Sequence, residues 1–313
     1  MSVSRWFDDL PVIGKLPPEE AAAKLREVGD NTTAAALEST PVKPVRGPVR
    51  GPATYGVRGL WPFQDKPWQH TAHAFGYLAP APPGNQPLPI QHAGNIAADQ
   101  TLKNSRIKIT LDRLRVAGYP GGGTHRILFD FYAQNQVPGN VEHLHFNSTL
   151  RAREGEQAAI IGYPIFIGLN IGSEGVAFRC YTVNVANDDD EKLLGFLEGD
   201  VFKAGLKLAL TIQPAIAPLS GMAVALTRSL AARHRNVAVQ DFYMGLDFTN
   251  IPTGARLAEG AYLAVQIPEM LQTVWDWSEW IYNPASGQVV SKQDHTQLIP
   301  YNYVIFSVSR YEG

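Results

Sequence analysis

Between Leu102 and Leu210 apolar and polar positions alternate in short runs, separated by turns rich in Gly, Asn and Asp. This period-two pattern is the signature of β-strands with one buried face. Ile107, Ile109 and Leu111 alternate with Lys108, Thr110 and Asp112, and after a turn at Gly118 to Gly123 the pattern resumes in Ile127, Phe129 and Phe131. Further strands are predicted around 141–152, 159–171, 176–186, 194–210, 237–249, 260–268 and 299–311. One helical stretch interrupts them at about 218–235, where Leu219, Met222, Ala223, Leu226 and Leu230 mark a single apolar face. Many short strands with antiparallel turn chemistry predict two packed sheets, a mainly β, antiparallel β-sandwich over residues 101–313 with an inserted helix. Its last strand, Tyr301 to Tyr311, is expected to complete a sheet.

Residues 1–40 have a different period. Pro17, Pro18, Glu19 and Glu20 form an acidic helix start, Gly29 a stop, and Ala21, Leu25 and Val28 fall on one face between them. Trp6, Phe7, Leu10 and Ile13 form an apolar group ahead of this helical segment. Residues 41–100 then carry closely spaced prolines, which favour extended backbone over regular structure. Val45-Arg46-Gly47-Pro48 is repeated at once as Val49-Arg50-Gly51-Pro52, and Arg58 extends the basic character. Trp61, Trp68, Phe75 and Tyr77 follow, more aromatic surface than a passive spacer carries. The stretch reads as a basic, aromatic arm.

Composition narrows the function. The 313 residues are 45% hydrophobic with a formal net charge of -2, which argues against nucleic acid as a partner held by overall charge. The single cysteine, Cys180, rules out an internal disulfide framework and suits a reducing compartment, so the cytoplasm is the expected location. No basic-apolar leader opens the chain, and no run approaches the roughly 20 apolar residues of a spanning helix.

Phe178 to Ala186, followed by Asn187-Asp188-Asp189-Asp190 and Leu193-Leu194-Gly195-Phe196, resembles a late strand, acidic loop and next strand of a C2 domain. The resemblance covers about residues 102–210. It implies an eight-stranded sandwich whose loops at one end bind calcium, lipid or protein. Calcium needs six to eight oxygen ligands, and the loop Ala117 to Thr124 that would supply the other set has no acid. The resemblance therefore favours a sandwich that binds without a cofactor, with calcium at Asp188, Asp189 and Asp190 as the alternative.

Other candidate chemistry is sparse. His143 and His145 share one face of a strand and could begin a metal site, with His125 or Asp130 as a third ligand; their alternative is the wetter face of a sheet. Trp275, Trp277 and Trp280 could meet a ligand or a membrane interface, or else anchor a long insertion onto the sandwich. Arg228, Arg233, His234 and Arg235 crowd the end of the inserted helix, where positive charge complements the helix dipole. No phosphate loop, Gly-x-Ser-x-Gly elbow or zincin motif is present. The reading is a non-enzymatic adaptor or regulatory protein that docks on a larger assembly. Its partner contacts are expected at Trp6, Phe7, Leu10, Leu25, Arg46, Arg50, Arg58, Trp61 and Trp68, and cutting at the arginines of the arm would switch it. A peripheral membrane protein and a metal-dependent hydrolase are the competing expectations. Removing residues 1–60 is expected to leave stability nearly unchanged.

Overall fold

A computed structural model describes residues 7–39, 66–80, 84–197, 203–209, 214, 216–249 and 254–313. Helices α1 (Pro18–Glu27) and α2 (Asn31–Ser39) precede the strands β1 (Ala72–Leu78), β2 (Leu88–Pro89), β3 (Gln91–His92), β4 (Arg106–Arg115), β5 (Thr124–Val137), β6 (Asn140–Arg153), β7 (Gln157–Asn170) and β8 (Gly175–Val185). Helix α3 (Glu191–Leu197), β9 (Leu206–Lys207) and helix α4 (Ile216–Ala231) follow. The chain closes with β10 (Asn236–Asp247), β11 (Ala255–Arg256), β12 (Gly260–Ile267), β13 (Trp280–Asn283), β14 (Gln288–Ser291) and β15 (Tyr303–Arg310).

A seven-stranded sheet, in the order β3-β1-β12-β15-β4-β7-β9, packs against a five-stranded sheet, β11-β10-β8-β5-β6. All pairings between long strands are antiparallel, as the turn chemistry predicts. Pro138-Gly139 closes the β5–β6 hairpin, with Gly139 at φ 75°, a backbone that L side chains rarely adopt. The alternating residues fill the space between the sheets: Ile107, Ile109, Leu111 and Phe306 from one, Ile127, Phe129, Phe131 and Phe178 from the other. Phe178 and Phe306 meet across the sandwich at 4.6 Å between ring centroids. Cys180 lies in this core, and burial raises its thiol well above the usual range, so it is an inert apolar filler.

Each sheet also has a covered outer face. A three-stranded sheet, β14-β13-β2, lies over the seven-stranded one, with Trp277, Trp280, Val289 and Ile299 packed on Leu263, Val265 and Ile305. The segment Phe7 to Val12, α3 and α4 lie over the five-stranded one, with Phe7, Leu194, Leu197 and Leu230 on Leu128, Tyr181 and Val183.

Three sequence readings need correction. The sheets do not begin at 101: β1, inside the stretch read as an arm, pairs with β12 from Ala72↔Ile267 to Leu78↔Ala261. The prolines at 67 and 80 flank this strand without entering it, so nothing interrupts its ladder. No strand follows Asp190 directly, because residues 191–197 are helical and put Leu194 and Leu197 onto Val183 and Val185. The inserted helix is real, but it is rolled: Ile216, Ser220, Thr227 and Leu230 are buried, while Leu219 and Met222 face solvent.

Candidate functional site

The roll of α4 follows from what lies beneath it. Because Ile127, Phe129 and Phe131 of β5 and Leu144 and Phe146 of β6 point between the sheets, the residues alternating with them point outward. Cross-strand register sets Tyr132 opposite His145 and Asp130 opposite Asn147 on that outward face. The Asp130 carboxylate lies 2.7 Å from His145 Nδ1 through one oxygen. Its other oxygen accepts from Asn147 Nδ2 and Thr227 Oγ1, both at 3.0 Å. Ser220 Oγ accepts the backbone N–H of His145 at 3.0 Å. Asp130, His145 and Thr227 are 2%, 5% and 0% exposed. A carboxylate this deep needs its hydrogen bonds, since an unsatisfied buried charge costs several kcal/mol, about the worth of burying more than one Leu or Met side chain. Ser220 and Thr227 of α4 therefore turn inward beside Ile216 and Leu230, and Leu219 and Met222 are left outward.

Two atoms of the cluster have no hydrogen-bond partner, Asn147 Oδ1 and His145 Nε2; the latter is buried beside the Phe7 ring, which meets the imidazole edge-on with centroids 6.1 Å apart. Phe7 also packs on Tyr181 at 4.6 Å, and the Arg228 guanidinium sits 5.6 Å from its centroid. The chain turns here, Leu10 N–H donating to the Phe7 carbonyl, and the Tyr181 hydroxyl donates to the Leu10 carbonyl at 2.7 Å. Arg228 holds both oxygens of Asp9, at 2.9 and 2.7 Å, and this hydrogen bonding keeps the Asp9 carboxyl below its usual range. Arg179, clamped on Asp241 by two 2.7 Å hydrogen bonds, reaches Asp8 at 3.4 Å.

The residues singled out in the sequence are dispersed. Trp6, Arg46, Arg50, Arg58 and Trp61 lie outside the described residues. Phe7, Leu25 and Trp68, read as anchors for a partner, are buried in the chain's own core, and Leu10 is half-buried against it. Trp277 and Trp280 are buried under the three-stranded sheet and Trp275 stacks on Trp280, so the cluster anchors the cover. His143 and His145 do share a face, but each ring turns to its own partner: His143 Nδ1 to the Tyr132 hydroxyl at 2.7 Å, His145 Nδ1 to Asp130. Asp190 turns inward to Arg233 and to Asn236 Nδ2, whereas Asp188 is exposed, 3.6 Å from Arg235. Asn187 caps the same turn, its Oδ1 accepting the backbone N–H of Asp189. Among the described residues no group of three or more His, Cys, Asp or Glu side chains is placed to hold a metal ion. The basic end of α4 is thus matched to acids, Arg228 to Asp9 and Arg233 to Asp190.

Sequence reasoning missed Ser220, Thr227, Asn147 and Arg179. A signal existed for the first two: they lie seven residues apart, two helical turns, on one side of α4 about a quarter turn from Leu219. Three further histidines, His70, His73 and His125, are buried elsewhere. Burial depresses all three, His70 and His73 to about 4. No family model, no curated protein and no solved structure matches the chain. Among the described residues no helix is long and apolar enough to cross a membrane.

Proposed function

We propose that the protein is a non-enzymatic binding component that docks on another protein through the outward face of α4. One observation carries this reading: Leu219 and Met222 are 49% and 59% exposed on a helix that buries its polar residues Ser220 and Thr227. An apolar helix face left in water gains most by being covered, and an amphipathic helix against a partner's groove is a recurrent way of doing so. The C2-like resemblance of residues 102–210 enters the proposal as a reading of ancestry, supported by the antiparallel pairing of β5, β6, β8 and β10. Cytoplasmic location is likewise proposed, supported by a lone, buried thiol. The reading is supported over the membrane and metal alternatives by the burial of Trp277 and Trp280 and by the separate partners of His143 and His145.

The test compares full-length wild type with Leu219→Glu/Met222→Glu by cross-linking and co-purification from native extract. The expected result is a partner recovered with wild type and lost from a variant that melts at the same temperature. Recovery of the same proteins with both, or of none with wild type, would overturn the proposal.

A further inference from the structure

The segment Phe7 to Leu10 is held as a bound peptide would be. Its aromatic ring fills a slot between Tyr181, His145 and Arg228, its two carboxylates meet Arg179 and Arg228, and one backbone carbonyl is bonded by Tyr181. The slot therefore has its own recognition chemistry: an aromatic pocket with a cationic rim on β8 and α4. The segment uses that chemistry incompletely. His145 Nε2 in the wall has no hydrogen-bond partner, and Asp8 reaches Arg179 only at 3.4 Å, while Asp241 already holds it. Asp8 and Asp9 are open to solvent and Phe7 belongs to the cover, not to the core between the sheets, so the segment can lift without disturbing that core.

We propose that this slot is a recognition site for a partner's short peptide, an aromatic residue followed by two carboxylates, and that Phe7 to Leu10 is its resident competitor. The charge complementarity of Asp8 and Asp9 with Arg179 and Arg228 defines the occupant. Tethering gives the resident segment a high effective concentration, so a free peptide sees only the fraction of molecules in which the slot is open. The partner's affinity is thereby set by the stability of an internal contact. This site uses none of the outward residues of α4, and either proposal can fail alone.

The experiment measures binding of a fluorescent peptide with the sequence of residues 7–13, Phe-Asp-Asp-Leu-Pro-Val-Ile, to full-length proteins. Phe7→Ala/Asp9→Ala, which empties the slot, is expected to bind it at least roughly tenfold more tightly than wild type. Adding Arg228→Gln to that variant is expected to remove the gain, and a scrambled peptide is expected not to bind. Equal affinity for wild type and the double variant, or a gain that survives Arg228→Gln, overturns the proposal. If the double variant does not fold, Asp9→Ala alone, which leaves the ring in place, replaces it: a smaller gain in affinity supports the proposal and no gain overturns it.

Discussion

The two outer faces of the sandwich are covered by opposite means. Over the seven-stranded sheet the cover is a dry apolar layer, Trp277, Trp280, Val289 and Ile299 on Leu263, Val265 and Ile305. Over the five-stranded sheet the apolar contacts of Phe7, Leu194 and Leu230 surround a polar cluster centred on Asp130. Dispersion and water exclusion hold the first, and they are indifferent to small rotations. Directional bonds specify the second, fixing the roll of α4 at the cost of exposing Leu219 and Met222. A dry cover behaves as more core; a polar one selects a single arrangement and leaves its outer side unsatisfied.

The largest expected effect comes from removing the N-terminal part of the polar cover. Phe7 and Val12 are buried in that cover, while Ile13 and Ala22, Leu25, Ala34 and Leu37 of α1 and α2 are buried in the main core. The expectation that this end is dispensable is therefore reversed. Deletion of residues 1–39 is expected to cost at least about 5 kcal/mol by burial lost. Urea denaturation measures it, and an unchanged midpoint would mean that neither this end of the cover nor α1 and α2 contribute to stability.

Next in size are single residues in each cover. Trp280→Ala is expected to cost about 3–5 kcal/mol through a cavity, and Asp130→Ala about 3–5 kcal/mol through stranded partners. Double-mutant cycles separate the two covers. Asp130→Ala with Thr227→Val should cost clearly less than the sum, because both remove one hydrogen bond, whereas Asp130→Ala with Trp280→Ala should add. Additivity in both cycles would break the comparison.

Acid titration probes what lies between the covers. His73 packs at a tilt on Phe242 with centroids 5.1 Å apart, and His70 packs edge-on against Tyr301 at 5.5 Å. With both depressed to about 4, the unfolded chain takes up protons below its ordinary histidine value that the folded chain refuses. Stability is then full above about pH 6.5, falls as pH drops toward 4, and levels off below it for these groups, by roughly 3 kcal/mol for each histidine. His73→Phe should remove about half of this loss in denaturation curves taken at pH 7 and pH 4.5. An identical loss in the variant would place the acid sensitivity elsewhere.

How much of this was legible follows the same division. The long strands β4 to β8, β10, β12 and β15 were readable because each buries alternate residues in a continuous core, and alternation is a local property of sequence. β1 was hidden by the prolines around it, though Ala72, Ala74 and His73, Phe75, Tyr77 do alternate within it. Residues 191–197 failed because a short apolar run fits a strand or a helix equally, and only packing on Val183 and Val185 decides. The polar cluster was least legible. His145 and Asp130 were visible as candidates, but their partners Ser220 and Thr227 arrive from a helix 75 and 97 residues away in sequence. The apolar stripe on α4 placed Leu230 correctly but Leu219 and Met222 wrongly, since pattern counts hydrophobicity and not the hydrogen bonds of a carboxylate beneath.

The smallest effect is the most diagnostic. If the roll of α4 is fixed by Ser220 and Thr227, then Leu219 and Met222 contribute little to folding, and Leu219→Gln or Met222→Gln should change stability by no more than about 0.5 kcal/mol. The reading of these residues as the buried face of the helix demands instead a loss of about 2–5 kcal/mol, as for core Leu and Met. Thermal melts of the two variants beside Leu230→Gln, whose side chain is fully buried on the same helix, separate these outcomes. A large loss at Leu219 would return the apolar face to the interior, and with it the argument that this face is free to meet another protein.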